Sequence, residues 1–141
     1  MARRFEPLLG FTAWIEVRPG LPCAAEAAFA RRLEDYLSER DLIASAGPLD
    51  SLISSPDRSL SATDQVDFLD WLADEPVVCT VILSPLVQQL DRPAEKDTGF
   101  VRACLADPVV IALKTLYRCR RVNAELYLQL LGGFVRPVLG P

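Results

Sequence analysis

The spacing of hydrophobic positions changes several times along the chain, and each change marks an element. In "FTAWIEV", residues 11–17, Phe11, Ala13, Ile15 and Val17 alternate with Thr12, Trp14 and Glu16. That period of two predicts a strand with one buried face. "RPGLP" then interrupts it with two prolines and a glycine. Over residues 24–40 the period lengthens. Ala25, Phe29, Leu33, Tyr36 and Leu37 recur at helical spacing, and Arg31 and Asp35 sit one turn apart on the solvent side.

Residues 42–60 are short and broken. "GPLD" reads as a turn between strands at 42–46 and 50–54, and "SSPDRS" as a second turn. A second helix is predicted over 62–74, "ATDQVDFLDWLAD". Val66, Leu69, Leu72 and Ala73 form its inner stripe, with Phe68 and Trp71 flanking it. Ser61 and Asp64 have capping-box spacing, and Pro76 stops the helix. "VVCTVIL", residues 77–83, is apolar and β-branched at nearly every position, as an interior strand requires. The order strand, helix, strand, strand, helix, strand predicts an α+β fold. It is the ferredoxin-like βαββαβ pattern, an antiparallel sheet with two helices on one face.

Residues 88–97, "QQLDRPAEKD", are polar and read as a linker, with a short helix expected at 98–105. Asp107 and Pro108 then supply a helix start and Gly132 a stop. Between them Val109, Ala112, Leu113, Leu116, Cys119, Val122, Leu126 and Leu130 form an apolar stripe. One continuous helix of about 24 residues, roughly 36 Å long, would result. The expected organisation is an α+β domain over residues 1–90, followed by a linker and helical C-terminal extension over 91–141 that can pack on it. A helix this long also suits a homodimer or the capture of a protein partner.

Composition narrows the chemistry. The chain of 141 residues has no histidine, which removes the commonest general base and transition-metal ligand. No Gly-rich phosphate loop, serine elbow or zinc spacing occurs, so the chain reads as non-enzymatic, without cofactor or metal. Cys23, Cys79 and Cys104 have apolar neighbours, Cys119 lies on the apolar stripe between Arg118 and Arg120, and no CxxC pair occurs, so buried free thiols in a reducing compartment are expected. "MARRFEPLLGF" has no apolar signal region, and no apolar run spans a bilayer, which points to the cytoplasm.

Charge is divided unevenly. Residues 1–96 carry nine Lys and Arg against sixteen Asp and Glu; residues 97–141 carry six against three. Contact with nucleic acid, if any, therefore belongs to the basic C-terminal part. Lys114, Arg118 and Arg121 share a helical face, with Arg120 beside them. Three readings fit: a stripe for phosphates, a solvent face, or an electrostatic dock on the acidic first domain. Asp64, Asp67, Asp70 and Asp74 form an acidic ladder on the second helix, suited to a cation or basic partner or to a solvated face. Trp14 lies on the polar side of the first strand, to stack on a partner or to be covered by the tail helix. Coverage by the tail is the expectation.

"LLGFTAWIEV", "DLIASAG" and "SLSATDQVDFLDWLADEPVVCTVILSPLVQ" together resemble the YggL family of small bacterial proteins over residues 8–88. Asp64, Trp71, Leu72, Val78, Pro85 and Leu86 stand at matching places: a capped helix ending in Trp-Leu, a valine-rich strand, then Pro-Leu. The resemblance implies a ribosome-associated protein that binds a macromolecular assembly, the large ribosomal subunit. The candidate contact residues are Lys114, Arg118, Arg120, Arg121 and Trp14. The alternative is a structural module that binds itself or a protein partner through its C-terminal helix.

Overall fold

The structure, a computed structural model, describes residues 8–47, 49–88 and 100–135. The elements are β1 (Leu9–Val17), α1 (Cys23–Glu39), β2 (Ile43–Gly47), β3 (Asp50–Ser54), α2 (Ala62–Ala73), β4 (Val78–Leu83), β5 (Val87–Gln88), β6 (Val101–Cys104), α3 (Pro108–Arg118) and α4 (Ala124–Val135). The sheet order is β2-β3-β1-β4-β6, and every neighbouring pair is antiparallel. The first four strands reproduce the predicted ferredoxin-like order. β6 adds a fifth strand beyond β4, and β5 pairs with the start of β1.

The alternation read in β1 decides which face is packed. Phe11, Ala13 and Ile15 point toward the helices with Ile53, Val81, Leu83 and Ala103, all buried. Phe11 meets Phe68 of α2, their ring centroids 6.0 Å apart. The apolar stripe of α1 follows: Tyr36 stacks on Trp71 and touches Phe68, and Phe29 lies against Trp71. Burial pushes the Tyr36 hydroxyl up to about 12. Val66, Phe68, Leu69 and Leu72 of α2 are all fully buried. Aromatic pairs of this kind add about 0.5–1.5 kcal/mol each beyond the area they bury.

The "SPL" after β4 is a clasp. The Ser84 hydroxyl accepts the Thr12 backbone N–H at 2.8 Å, and the Ser84 N–H donates back to the Thr12 carbonyl at 2.9 Å. Gln65 of α2 donates to the Ser84 carbonyl at 2.8 Å. Buried polar groups from β1, α2 and the β4 exit thus satisfy one another, as burial demands.

The structure departs from the sequence pattern in three ways, two of them in the C-terminal part. Residues 101–104 form an edge strand, not part of a helix: Val101 and Ala103 face the helices while Arg102 and Cys104 are exposed. The expected long helix is two helices. α3 begins as predicted, with the Asp107 carboxylate accepting the Val109 N–H at 2.9 Å and Pro108 at its first position. It ends in a Schellman turn. Arg120 is left-handed (φ 61°), its N–H bonds to the Tyr117 carbonyl, and the Arg121 N–H bonds to that of Leu116. Asn123 then caps α4 by accepting the Leu126 N–H at 2.8 Å. Because the turn resets the helical phase, the buried residues are Val110, Leu113, Ala124, Tyr127 and Leu131, not the continuous stripe. α4 contacts α2 and β6, on the same face of the sheet as the other helices.

Cysteine placement is the third departure. All four thiols are free, but Cys23, Cys104 and Cys119 are exposed and only Cys79 is partly covered. Cys104 points from the outer side of an edge strand, and Cys119 caps α3, so neither lies in a core. The expected linker at 88–97 lies outside the described residues except for Gln88. No described helix is long and apolar enough to cross a membrane.

Candidate functional site

The two charged ladders meet. Side chains of α3 reach the carboxylates of α2: Lys114 Nζ lies 2.9 Å from Asp74, and Arg118 lies 2.9 Å from Asp70 and 2.7 Å from Asp74. Tyr117 donates to Asp67 at 2.7 Å. Burial, and then the bond to Asp67, push the Tyr117 hydroxyl upward. The hydrogen bonds from Lys114 and Arg118 hold the Asp74 carboxyl below its ordinary value. Asp64 turns the other way. Its carboxylate accepts the Ser61 backbone N–H at 2.8 Å and pairs with Arg58 at 2.9 Å. Burial alone would raise Asp64, but these contacts leave it below the usual carboxylate range. Three of the four ladder carboxylates, Asp67, Asp70 and Asp74, and half of the basic stripe are therefore the dock between the C-terminal helices and the first α/β unit. Among the described residues, no cluster of three or more His, Cys, Asp or Glu is arranged to hold a metal.

Lys114 and Arg118 are thus engaged within the chain. Arg120 and Arg121 are separated from them by the Schellman turn. Both are exposed, and neither forms an ion pair among the described residues. With Tyr117, Arg118, Val122 and Asn123 they line an open concavity of about 610 Å³ at the corner between α3 and α4. Two guanidinium groups lie beside the capped N-terminus of α4, whose first N–H groups favour negative charge.

Trp14 lies elsewhere. It occupies the sheet face opposite the helices, so the C-terminal helices do not cover it. It is half-buried against Phe100, their centroids 5.4 Å apart. Ile82 and Leu49 complete a depression of about 440 Å³, and Glu16 lies on its rim. Asp50 is the cross-strand neighbour of Trp14. Two carboxylates beside the indole make this face a poor bed for a phosphate backbone. The five residues singled out in sequence therefore fall in three places: Lys114 and Arg118 in the dock, Arg120 and Arg121 at the corner, and Trp14 on the far face.

Sequence reasoning missed Phe100 and Asn123. The "VNAE" at 122–125 holds a helix-start signal, since Asn is a favoured cap, and it could have found the second helix inside the continuous stripe. Comparison of the chain with protein-family models, curated proteins and solved structures finds no match in any of the three.

Proposed function

We propose that the protein is a non-enzymatic binding protein that grips a phosphate-rich macromolecular assembly at the corner between α3 and α4. The observation that carries this reading is the placement of Arg120 and Arg121. A left-handed residue at a helix end is usually glycine, and the next position usually closes with an apolar contact. Here arginine fills both positions, in the open and free of carboxylate partners among the described residues. Departures from local preference are expected where function requires them. The sequence resemblance over residues 8–88 makes the large ribosomal subunit the first assembly to test.

The test is co-sedimentation of the full chain with purified large ribosomal subunits across a salt series. The double variant Arg120→Glu/Arg121→Glu should lose binding. The double alanine variant should flatten the salt dependence of log K by about 2, one unit for each phosphate contact removed. Lys114 and Arg118 are unsuitable targets because both are engaged by carboxylates of α2 within the chain. Absence of co-sedimentation at low salt would remove the ribosome. Binding unchanged in the double Glu variant would remove the corner.

A second reading keeps the C-terminal helices as a surface for protein. It is favoured by Ile111, Leu116 and Leu126, which are 49%, 39% and 39% exposed. Lysine at these positions would abolish such an interaction and leave subunit binding through Arg120 and Arg121 intact.

A further inference from the structure

The two edges of the sheet are built differently. β6 carries Arg102 on its exposed side, and a charge on an edge strand discourages pairing with another chain. β2 is the opposite edge and, among the described residues, pairs on one side only, with β3. Its sequence, Ile43 to Gly47, is "IASAG", without a charge or a proline. The pairing of Ile43–Gly47 with Asp50–Ser54 runs without a register shift, so no bulge twists the edge away. Ile43 is 49% exposed. Proteins normally blunt such an edge. One left regular, small and uncharged is a template for another strand.

What flanks the edge identifies the strand that fits. A groove of about 500 Å³ runs between α1 and β2, lined by Arg31, Glu34 and Asp35 on the helix, Leu42 just before the strand, and Ile43 and Ala44 on it. Among the described residues none of the three charged groups has an ion-pair partner. The set holds both signs within about one helical turn. A two-fold axis at β2 would make the strands antiparallel and bring α1 alongside its copy. Arg31 of each subunit would then face Glu34 and Asp35 of the other. A two-fold interface must be self-complementary, and this mixed set is. An acidic or a basic partner would satisfy one sign and oppose the other.

We propose that the chain forms a two-fold homodimer in which β2 pairs with β2 of a second copy, joining the sheets, with Arg31 bridging to Glu34 and Asp35 across the axis. This surface lies at the opposite sheet edge from β6 and the C-terminal helices packed beside it, so the dimer would leave both Arg120–Arg121 corners free.

The experiment is light scattering with sedimentation velocity on the full chain, up to about 1 mM protein, a concentration that detects even weak association. Wild type should be dimeric. Arg31→Glu should be monomeric, as should Glu34→Arg/Asp35→Arg, with unchanged circular dichroism because these positions are exposed. Mixing the two variants should restore a dimer, since each then presents the sign the other lacks. Ile43→Lys should also be monomeric. A wild type monomeric throughout would overturn the proposal. So would a dimer unaffected by Arg31→Glu, or one lost in Ile111→Lys instead, which would move self-association to the C-terminal helices.

Discussion

α1 and α3 end in the same backbone motif, filled with opposite chemistry. At the end of α1 the left-handed residue is Asp41 (φ 57°), and the Leu42 N–H bonds to the Leu37 carbonyl at 2.8 Å. Leu42 and Leu37 are both buried, so the turn closes on an apolar contact. At the end of α3 the equivalent residues are Arg120, Arg121 and Leu116. The closing position is charged and Leu116 stays 39% exposed. Local hydrogen bonding sets the turn in both cases, but only the first turn is also held by the core. The last turn of α3 is held instead by the polar contacts of Tyr117 and Arg118 to α2. The difference separates a corner that serves stability from one free to serve recognition.

Leu42→Ala is the most disruptive way to test that contrast. It removes a buried side chain and leaves a cavity beneath the end of α1, so a loss of about 2–5 kcal/mol is expected in urea denaturation. Leu116→Ala at the matching place in α3 should cost well under half as much. Equal losses would mean that the α3 turn is closed by the core after all.

The next largest effect lies in the polar dock. Tyr117→Phe deletes the hydroxyl that bonds to Asp67 at 2.7 Å while keeping its edge-on contact with Tyr127. A hydrogen bond to a charged group supports a loss of about 1.5 kcal/mol. Arg120→Gly should act in the reverse direction. Relief of left-handed strain stabilises by about 1 kcal/mol, while subunit binding falls because a guanidinium is gone. Asp41→Gly should also stabilise, without touching binding. If Arg120→Gly leaves binding whole, the corner is only a turn.

The sequence was readable where structure is local. β1, α1, the β2–β3 hairpin, α2 and β4 announce themselves through period and through Pro, Gly and Ser-Asp punctuation. β6 does not: four residues of alternation cannot be told from a fragment of helix, and the strand exists because β4 offers it an edge. The break after α3 was hidden because arginine stands where glycine usually signals a left-handed residue. The dock was half visible. Asp70 and Asp74 are four apart, as are Lys114 and Arg118, and matched spacings on two helices of opposite charge can pair. An electrostatic dock was one of the readings, but choosing it over a phosphate stripe required knowing where α3 lies. Trp14 and Cys104 went astray for the same reason, because the sequence does not say which face of the sheet is covered; Cys23 and Cys119 stand at helix ends, where the apolar pattern stops short of the core.

Acid supplies the finest test of the contrast, because the α3 side rests on carboxylate pairs at Asp70 and Asp74, whereas the Leu37–Leu42 closure at the end of α1 is apolar. Hydrogen bonds from Lys114 and Arg118 hold Asp74 below its ordinary value of 3.8. A carboxyl depressed in the folded state contributes stability that is fully present above its unfolded value and is lost as pH falls through the folded one. The window therefore opens near pH 4 and extends downward, and nothing changes between pH 5 and 8 on this account. Asp74 is 55% exposed, so screening keeps its contribution to below about 1 kcal/mol. Asp64 is depressed too, but it caps α2 and is untouched by changes at the dock. The loss of stability between pH 7 and pH 3 should thus be smaller in Asp74→Asn than in wild type, and about 1 M salt should narrow the gap between them. Spectroscopic probes on α3 should respond to acid before probes at Leu42 do. Identical acid sensitivity in wild type and Asp74→Asn would show that the ion pairs orient α3 without stabilising it, leaving Tyr117, Tyr127 and Leu113 to hold the C-terminal helices in place.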